Sequence, residues 1–177
     1  SLFLTKPIGV GILTTAEKQG KLEPQHTRLA VETMMQLNSV GAELGKLPDV
    51  NAMTDVTGFG LLGHLLEICQ GSHLSAVIDL PSIPVLDTSI GNYIEAGCVP
   101  GGSQRNWKSI ETHISNINTH DRALLCDPQT SGGLLIAASP NSVDEVTSIL
   151  KQANCCYQPI GKLIDESESH ATIEVSF

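Results

Sequence analysis

Two rhythms organise the apolar positions along the chain. Short alternating or unbroken apolar runs predict strands: Val50 to Met53 ahead of Asp55, Leu74 to Leu80, Leu134 to Ala138 and Tyr157 to Ile164. In the tail, Ile173, Val175 and Phe177 alternate with Thr172, Glu174 and Ser176, which predicts a hairpin partner with its apolar members inward. Leu2 to Leu13 alternates weakly around Pro7, Gly9 and Gly11 and reads as an entering strand, with glycines where another backbone passes closely. Pro159 and Gly161 push the Tyr157–Ile164 strand towards an edge or a bulge.

Helical spacing occupies the stretches between. Gln25 to Asn38 carries Ala30, Val31, Met34 and Leu37 on one stripe, and Met34 and Met35 read as core filling. Leu61, Leu62, Leu65, Leu66 and Cys69 make a stripe on a helix running to Gln70, opposite Gly60, Gly63, His64 and Glu67. Asp87 or Thr88 is a candidate cap for a helix to Ala96 that Gly97 stops. Asp121 to Cys126 reads as a short helix. A capping-box start at Ser142 and Glu145 opens another, with Val143, Val146, Leu150 and Ala153 on its packed face. Val99 to Asn106 reads as a glycine turn, and Trp107 to His120 shows no period. Strands alternating with helices predict an α+β fold, a layered mixed sheet covered by helices, in one domain over 1–177.

The chemistry concentrates where the Val50 strand ends. Met53-Thr-Asp-Val-Thr-Gly-Phe-Gly-Leu-Leu-Gly-His64 takes a strand through glycines into a helix, with Thr57 or Gly58 as N-cap. Asp55 then lies beside the free N–H groups of a helix start, an arrangement that suits a metal-bound phosphate: the acid for Mg²⁺, the N–H groups for oxygens. The plainer reading is a capping Asp and an ordinary turn. Lys6 either reaches a phosphate or is solvated. Arg105, beside Gly101 and Gly102, either braces a phosphate, pairs with a carboxylate on a partner domain, or is a solvated Arg in a turn. Asp127-Pro-Gln-Thr-Ser-Gly-Gly133 offers the hydroxyls and N–H groups of an anion nest, or a common turn. His26 reads as a capping or surface residue, His113 and His120 as surface residues.

Composition narrows the function classes. Ten Lys plus Arg against nineteen Asp plus Glu give a net charge of −9 with the basic residues scattered, which argues against nucleic acid as a partner. No apolar run approaches the roughly 20 residues that span a bilayer. Five cysteines, an odd number without a C-x-x-C pair, argue against a disulfide framework or zinc site and fit a reducing, cytoplasmic setting. Aromatics at 3 % leave the core to Leu, Ile, Val, Ala and Met.

The 53–64 stretch resembles the C-terminal-domain signature of the selenophosphate synthetase (selenide, water dikinase) family. Four more blocks agree, in the family's order: Leu4 to Ala16, Tyr93 to Gly97, Val99 to Asn106, and Leu125 to Leu134. Together they span nearly the whole chain. The resemblance implies a fold like the aminoimidazole ribonucleotide synthetase C-terminal domain, partly ferredoxin-like. It implies an enzyme that makes selenophosphate from selenide, ATP and water, releasing AMP and phosphate. Family members carry an N-terminal domain with the catalytic Cys or selenocysteine, a Lys and other metal-binding Asp residues, none of which is matched here. The resemblance therefore implies no catalytic residue in this chain, Asp55 as a Mg²⁺ ligand, Thr57, Gly58 and Gly60 near ATP, docking to an N-terminal domain, and a homodimer when intact. Another ATP-using member of the superfamily would keep the Asp-x-x-Gly-x-Gly turn without the longer Leu-Leu-Gly-His run. A free-standing binding module would bind a ligand without catalysis.

Overall fold

A computed structural model describes residues 1–115 and 117–177. Its elements, in chain order, are β1 (Leu2–Leu4), α1 (Val10–Lys18), α2 (Leu29–Met35), α3 (Gly41–Leu44), β2 (Val50–Asp55), α4 (Gly60–Ser72), β3 (Leu74–Asp79), α5 (Ile90–Glu95), α6 (Gly101–Ile110), α7 (Thr119–Leu125), β4 (Leu134–Ala138), α8 (Val143–Gln152), β5 (Pro159–Asp165) and β6 (Ile173–Ser176). The strands form one mixed sheet in the order β2-β4-β1-β5-β3-β6, antiparallel except for the β3–β6 pair.

Alternation along the strands sorts side chains onto two faces. Leu2, Leu4, Leu135, Ala137, Ala76, Ile78, Ile160, Ile173 and Val175 join the α4 leucines in the main core. Phe3, Leu134, Ile136 and Ala138 point the other way, onto Val40 and Leu44 near α3 and Val146 and Leu150 of α8. β4, covered on both faces, is apolar and buried at every position, as a doubly covered strand requires. A third cluster joins α1, α2, α5 and α7 through Val10, Ile12, Leu13, Ala30, Ile90, Tyr93 and Ala123. No helix among the described residues is long and apolar enough to cross a membrane.

Several elements differ from the sequence reading. The entering strand stops at Leu4, and the second half of the Leu2–Leu13 run becomes α1, which starts from Gly9 in a left-handed conformation at φ 119°. The Gln25–Asn38 helix shrinks to Leu29–Met35, with a separate turn at Pro24–His26. Of its two methionines only Met34 meets the core, and Met35 is exposed. α4 begins after Phe59, not at Thr57 or Gly58, and Gly60, Gly63 and His64 on its second face are buried too. The Val99–Asn106 turn is the first part of α6. Gly102 there meets Pro128 closely, so that glycine serves helix packing rather than turning. Residue 116, inside the stretch read as aperiodic, lies outside the described residues. Ser142 opens α8 without a side-chain cap. β5 is interior, between β1 and β3, and the expected bulge sits opposite it at Leu2 and Phe3. The tail pairs with β3 in parallel rather than as a hairpin, and Phe177 is exposed. His26 is buried, its Nδ1 2.7 Å from the Tyr93 hydroxyl.

Candidate functional site

β2 lies at the sheet edge, and register pairs its last residue, Asp55, with Leu134 of β4. The Asp55 carboxylate is exposed, and among the described residues it takes part in no hydrogen bond or ion pair. It therefore caps nothing. The capping reading fails because the helix starts five residues later, behind a turn held by other groups.

That turn is anchored at three successive residues. The buried Val56 donates its N–H to the Gly133 carbonyl at 2.8 Å. The Thr57 carbonyl accepts from Gly60 N–H at 3.1 Å and from Gln129 N–H at 3.0 Å. The Gly58 carbonyl accepts from the Asn106 amide at 2.8 Å, and the same amide reaches the Cys126 carbonyl at 3.1 Å. The Thr57 hydroxyl lies 3.2 Å from His64 Nε2, and His64 Nδ1 lies 3.0 Å from Glu67 Oε2. A carboxylate only accepts, so Nδ1 carries a proton towards Glu67, and in the neutral ring Nε2 accepts from the Thr57 hydroxyl. The N–H groups of Thr57, Gly58 and Phe59 meet no acceptor among the described residues.

The two predicted glycines of this turn divide. At Gly58 an added Cβ would meet nothing within 4 Å, so the backbone is open to an approaching group. Gly60 adopts φ +71°, and a Cβ there would lie 2.7 Å from the Cys126 carbonyl carbon. Its role is to let the helix start rest on that backbone, and its N–H is already engaged.

The Asp127–Gly133 loop is the floor beneath the turn. Gly132 approaches Val56 so closely that a Cβ would come within 2.0 Å of the Val56 carbonyl oxygen, and Gly133 fits against Lys6 in the same way. The front of the loop caps α1 from across the chain. Asp127 Oδ2 accepts from Gly11 N–H at 3.0 Å and from the Gln129 amide at 2.8 Å, while Gln129 Oε1 accepts from Val10 N–H at 3.3 Å. Burial pushes the Asp127 carboxyl up to about 7, against the pull of the hydrogen bonds from Gln129 and the α1 start, and its Oδ1 has no partner. Lys6 neither faces solvent nor reaches outward. It is buried, its Nζ donating to Gln36 O at 2.6 Å and Ser131 O at 2.7 Å, and burial lowers its pKa. Ser131 holds a left-handed φ of 49°. Arg105 is exposed and forms no ion pair among the described residues. Burial pushes the Cys126 thiol, under Gly60, up to about 12, which makes it an inert core group.

Four of the five sequence blocks thus meet at one place: Lys6 and Gly11, the 53–64 turn, Asn106, and the 125–134 loop. The fifth does not, since Tyr93 serves the helical cluster. His64, Asn106 and Gln129 are the positioning residues that sequence reading missed. The one signal for them was their place inside the blocks. A cleft of about 530 Å³ lies elsewhere, between α5, α6 and α7, with Ile94, Val99, Trp107 and Arg122 among its walls. It contains neither Asp55 nor the turn, and we place the candidate site where the blocks converge. As a metal centre that site is partial: no group of three or more His, Cys, Asp or Glu able to hold an ion occurs among the described residues. Asp55 fits Mg²⁺ as one carboxylate ligand, because this hard cation takes one or two carboxylates and fills its octahedron with phosphate and water oxygens.

The fold and this turn define a class. Residues 1–174 match the family described as AIR synthase related protein, C-terminal domain, and the chain belongs to it. Solved structures with this fold include a thiamine-monophosphate kinase from Stenotrophomonas maltophilia K279a, with TM-score 0.62 at 16 % identity over 99 % of this chain and 49 % of that one. The hydrogenase maturation protein HypE superposes with TM-score 0.65 at 15 % identity, covering 99 % and 49 %. Curated relatives are more specific. Selenide, water dikinase from Haemophilus influenzae strain 86-028NP is 52 % identical over 174 residues, 98 % of this chain and 50 % of the relative. That of Yersinia pestis is 53 % identical over the same shares. The chain spans about half the length of these relatives.

Proposed function

We propose that this chain is the C-terminal part of a selenide, water dikinase, an enzyme that forms selenophosphate from selenide, ATP and water with release of AMP and phosphate. The observation that carries this reading is the 52 % identity over 174 residues to a relative of that name. A structure of HypE, similar in fold, is in complex with ATP, which supports nucleotide use by the class. Phosphoryl transfer rests on positioning and charge neutralisation more than on covalent chemistry by the protein, and this chain offers parts suited to that. Asp55 would supply one carboxylate to a Mg²⁺ ion, whose charge would neutralise the nucleotide phosphates. The unengaged N–H groups of Thr57 and Gly58 would be free to meet a phosphate oxygen, and Gly60 acts indirectly by seating the helix start. The remaining acids and the nucleophile come from the half of the relatives that this chain does not match, within a homodimer. Free, unpaired cysteines fit a reducing cytoplasmic setting.

The test uses a full-length chimera, the H. influenzae relative with its matched segment replaced by this chain. Asp55→Asn keeps the side chain's size and removes the charge. Selenide-dependent AMP formation should fall on the order of 100-fold or more, beyond what outer partners of a metal site typically contribute. An exposed substitution away from buried networks changes stability by less than about 0.5 kcal/mol, so the thermal midpoint should stay within about 3 °C. Near-normal turnover would remove Asp55 from the site. The 177-residue chain alone should form no AMP.

A further inference from the structure

The cleft between α5, α6 and α7 has no part in the site at the end of β2. Its volume of about 530 Å³ lies in the range that takes a small organic molecule. Ile94, Val99, Pro100, Trp107 and Ala123 give it apolar walls. One cation is fixed among them. Arg122 is half-buried, its Nε donates to Ile117 O at 2.8 Å, and its guanidinium lies 4.5 Å from the centre of the Trp107 ring. Among the described residues, its terminal nitrogens meet neither an acceptor nor a carboxylate. The guanidinium is thus held at its root and by stacking, with its outer donors unused.

The α6 end of the cleft favours negative charge as well. The N–H groups of Gly101 and Gly102, in the first turn of this 10-residue helix, meet no acceptor among the described residues. Ser103 lines the cleft at 2 % exposure, and its hydroxyl is buried without a partner. A buried hydroxyl is ordinarily satisfied, so this one keeps a donor for a ligand. At the rim, Arg105 Nη1 stands 3.5 Å from where a Gly101 Cβ would lie. We infer that this cleft binds a small organic acid, its apolar body against the walls and a single carboxylate on the Arg122 guanidinium and the α6 start. A guanidinium matches a carboxylate with two parallel N–H···O bonds. A doubly charged phosphate ester fits worse, because Glu95 is among the lining residues and the chain carries a net charge of −9. The cleft contains neither Asp55 nor the turn, so binding there is independent of the dikinase reading.

The experiment titrates the 177-residue chain with biphenylacetate, with its neutral amide and with acetate. Trp107 is the chain's only tryptophan, so its emission reports on the cleft itself. The acid should bind once per chain, change that emission, and bind at least tenfold more tightly than the amide or acetate; inorganic phosphate should not displace it. Arg122→Gln should weaken the acid at least tenfold and leave the amide unchanged, and the exposed Arg105→Gln should weaken the acid in the same direction. Arg28→Gln, which removes the same charge from a surface pair with Glu32, should bind as the wild type does. An amide that binds as tightly as the acid, binding without a change in Trp107 emission, displacement by phosphate, or an acid indifferent to both Arg122→Gln and Arg105→Gln would overturn the proposal. Equal weakening of acid and amide by Arg122→Gln would make the guanidinium a wall rather than an anchor and overturn it too. If the chain alone does not stay folded, the same titrations of the full-length chimera, read by calorimetry, decide between these outcomes. None of these readouts depends on AMP formation, so the cleft and the dikinase reading stand or fall separately.

Discussion

Raising the pH from 5 to 8 should weaken this fold through one buried carboxyl. Asp127 is fully buried beneath the start of α1, and burial raises its pKa from 3.8 to about 7. The native state thus binds this proton more tightly than the unfolded chain does. Its contribution to stability is complete below the unfolded value and is lost as pH rises towards 7. At about 1.4 kcal/mol per pH unit the whole shift corresponds to about 4 kcal/mol, of which about 2 kcal/mol is lost between pH 5 and 7. For a domain of this size that is a drop of about 4–8 °C in the thermal midpoint. Asp127→Asn keeps an oxygen for the Gly11 N–H and cannot ionise. The variant should match the wild type within about 1 kcal/mol at pH 5, lose the slope, and be the more stable protein at pH 8. Urea unfolding of both proteins at half-unit pH steps measures this. A wild-type stability that is flat or rises over pH 5–7, or an equal slope in Asp127→Asn, would show that the α1 start holds Asp127 ionised and refute the reasoning.

Three further substitutions probe the scaffold under the turn. Gly132→Ala places a Cβ 2.0 Å from the Val56 carbonyl oxygen, so it should lower the urea-derived stability by roughly 3 kcal/mol or more. Gly58→Ala, with open space, should stay within about 0.5 kcal/mol; similar losses for the two would contradict the packing described. Lys6→Met leaves the Gln36 and Ser131 carbonyls without their donor and should cost about 2 kcal/mol, less than two fully buried acceptors would, because both residues are otherwise exposed. An unchanged midpoint would mean that the ammonium clamp contributes nothing.

The sequence by itself determined the parts whose signals are local. β2, the turn and α4 follow from an apolar run, two glycines and a leucine stripe within 50–72. The all-apolar β4 and the amphipathic α8 follow in the same way, and the five blocks place the chain in its family. Tertiary structure decided the rest, because the deciding partners lie far along the chain. Asp127 and Gln129 cap α1 across 116 and 119 residues, so no local window shows that the front of the loop is a cap. Lys6 finds its second acceptor 125 residues away, which turns an apparently solvated lysine into a buried clamp. The tail alternates as any half-buried strand does, and only the free side of β3 decides that it pairs in parallel. Gly101 and Gly102 of α6 look like a turn until Pro128 is set against Gly102. Spacing reveals which residues can share a face. Which face is covered depends on groups that only folding, or a docking partner, brings near.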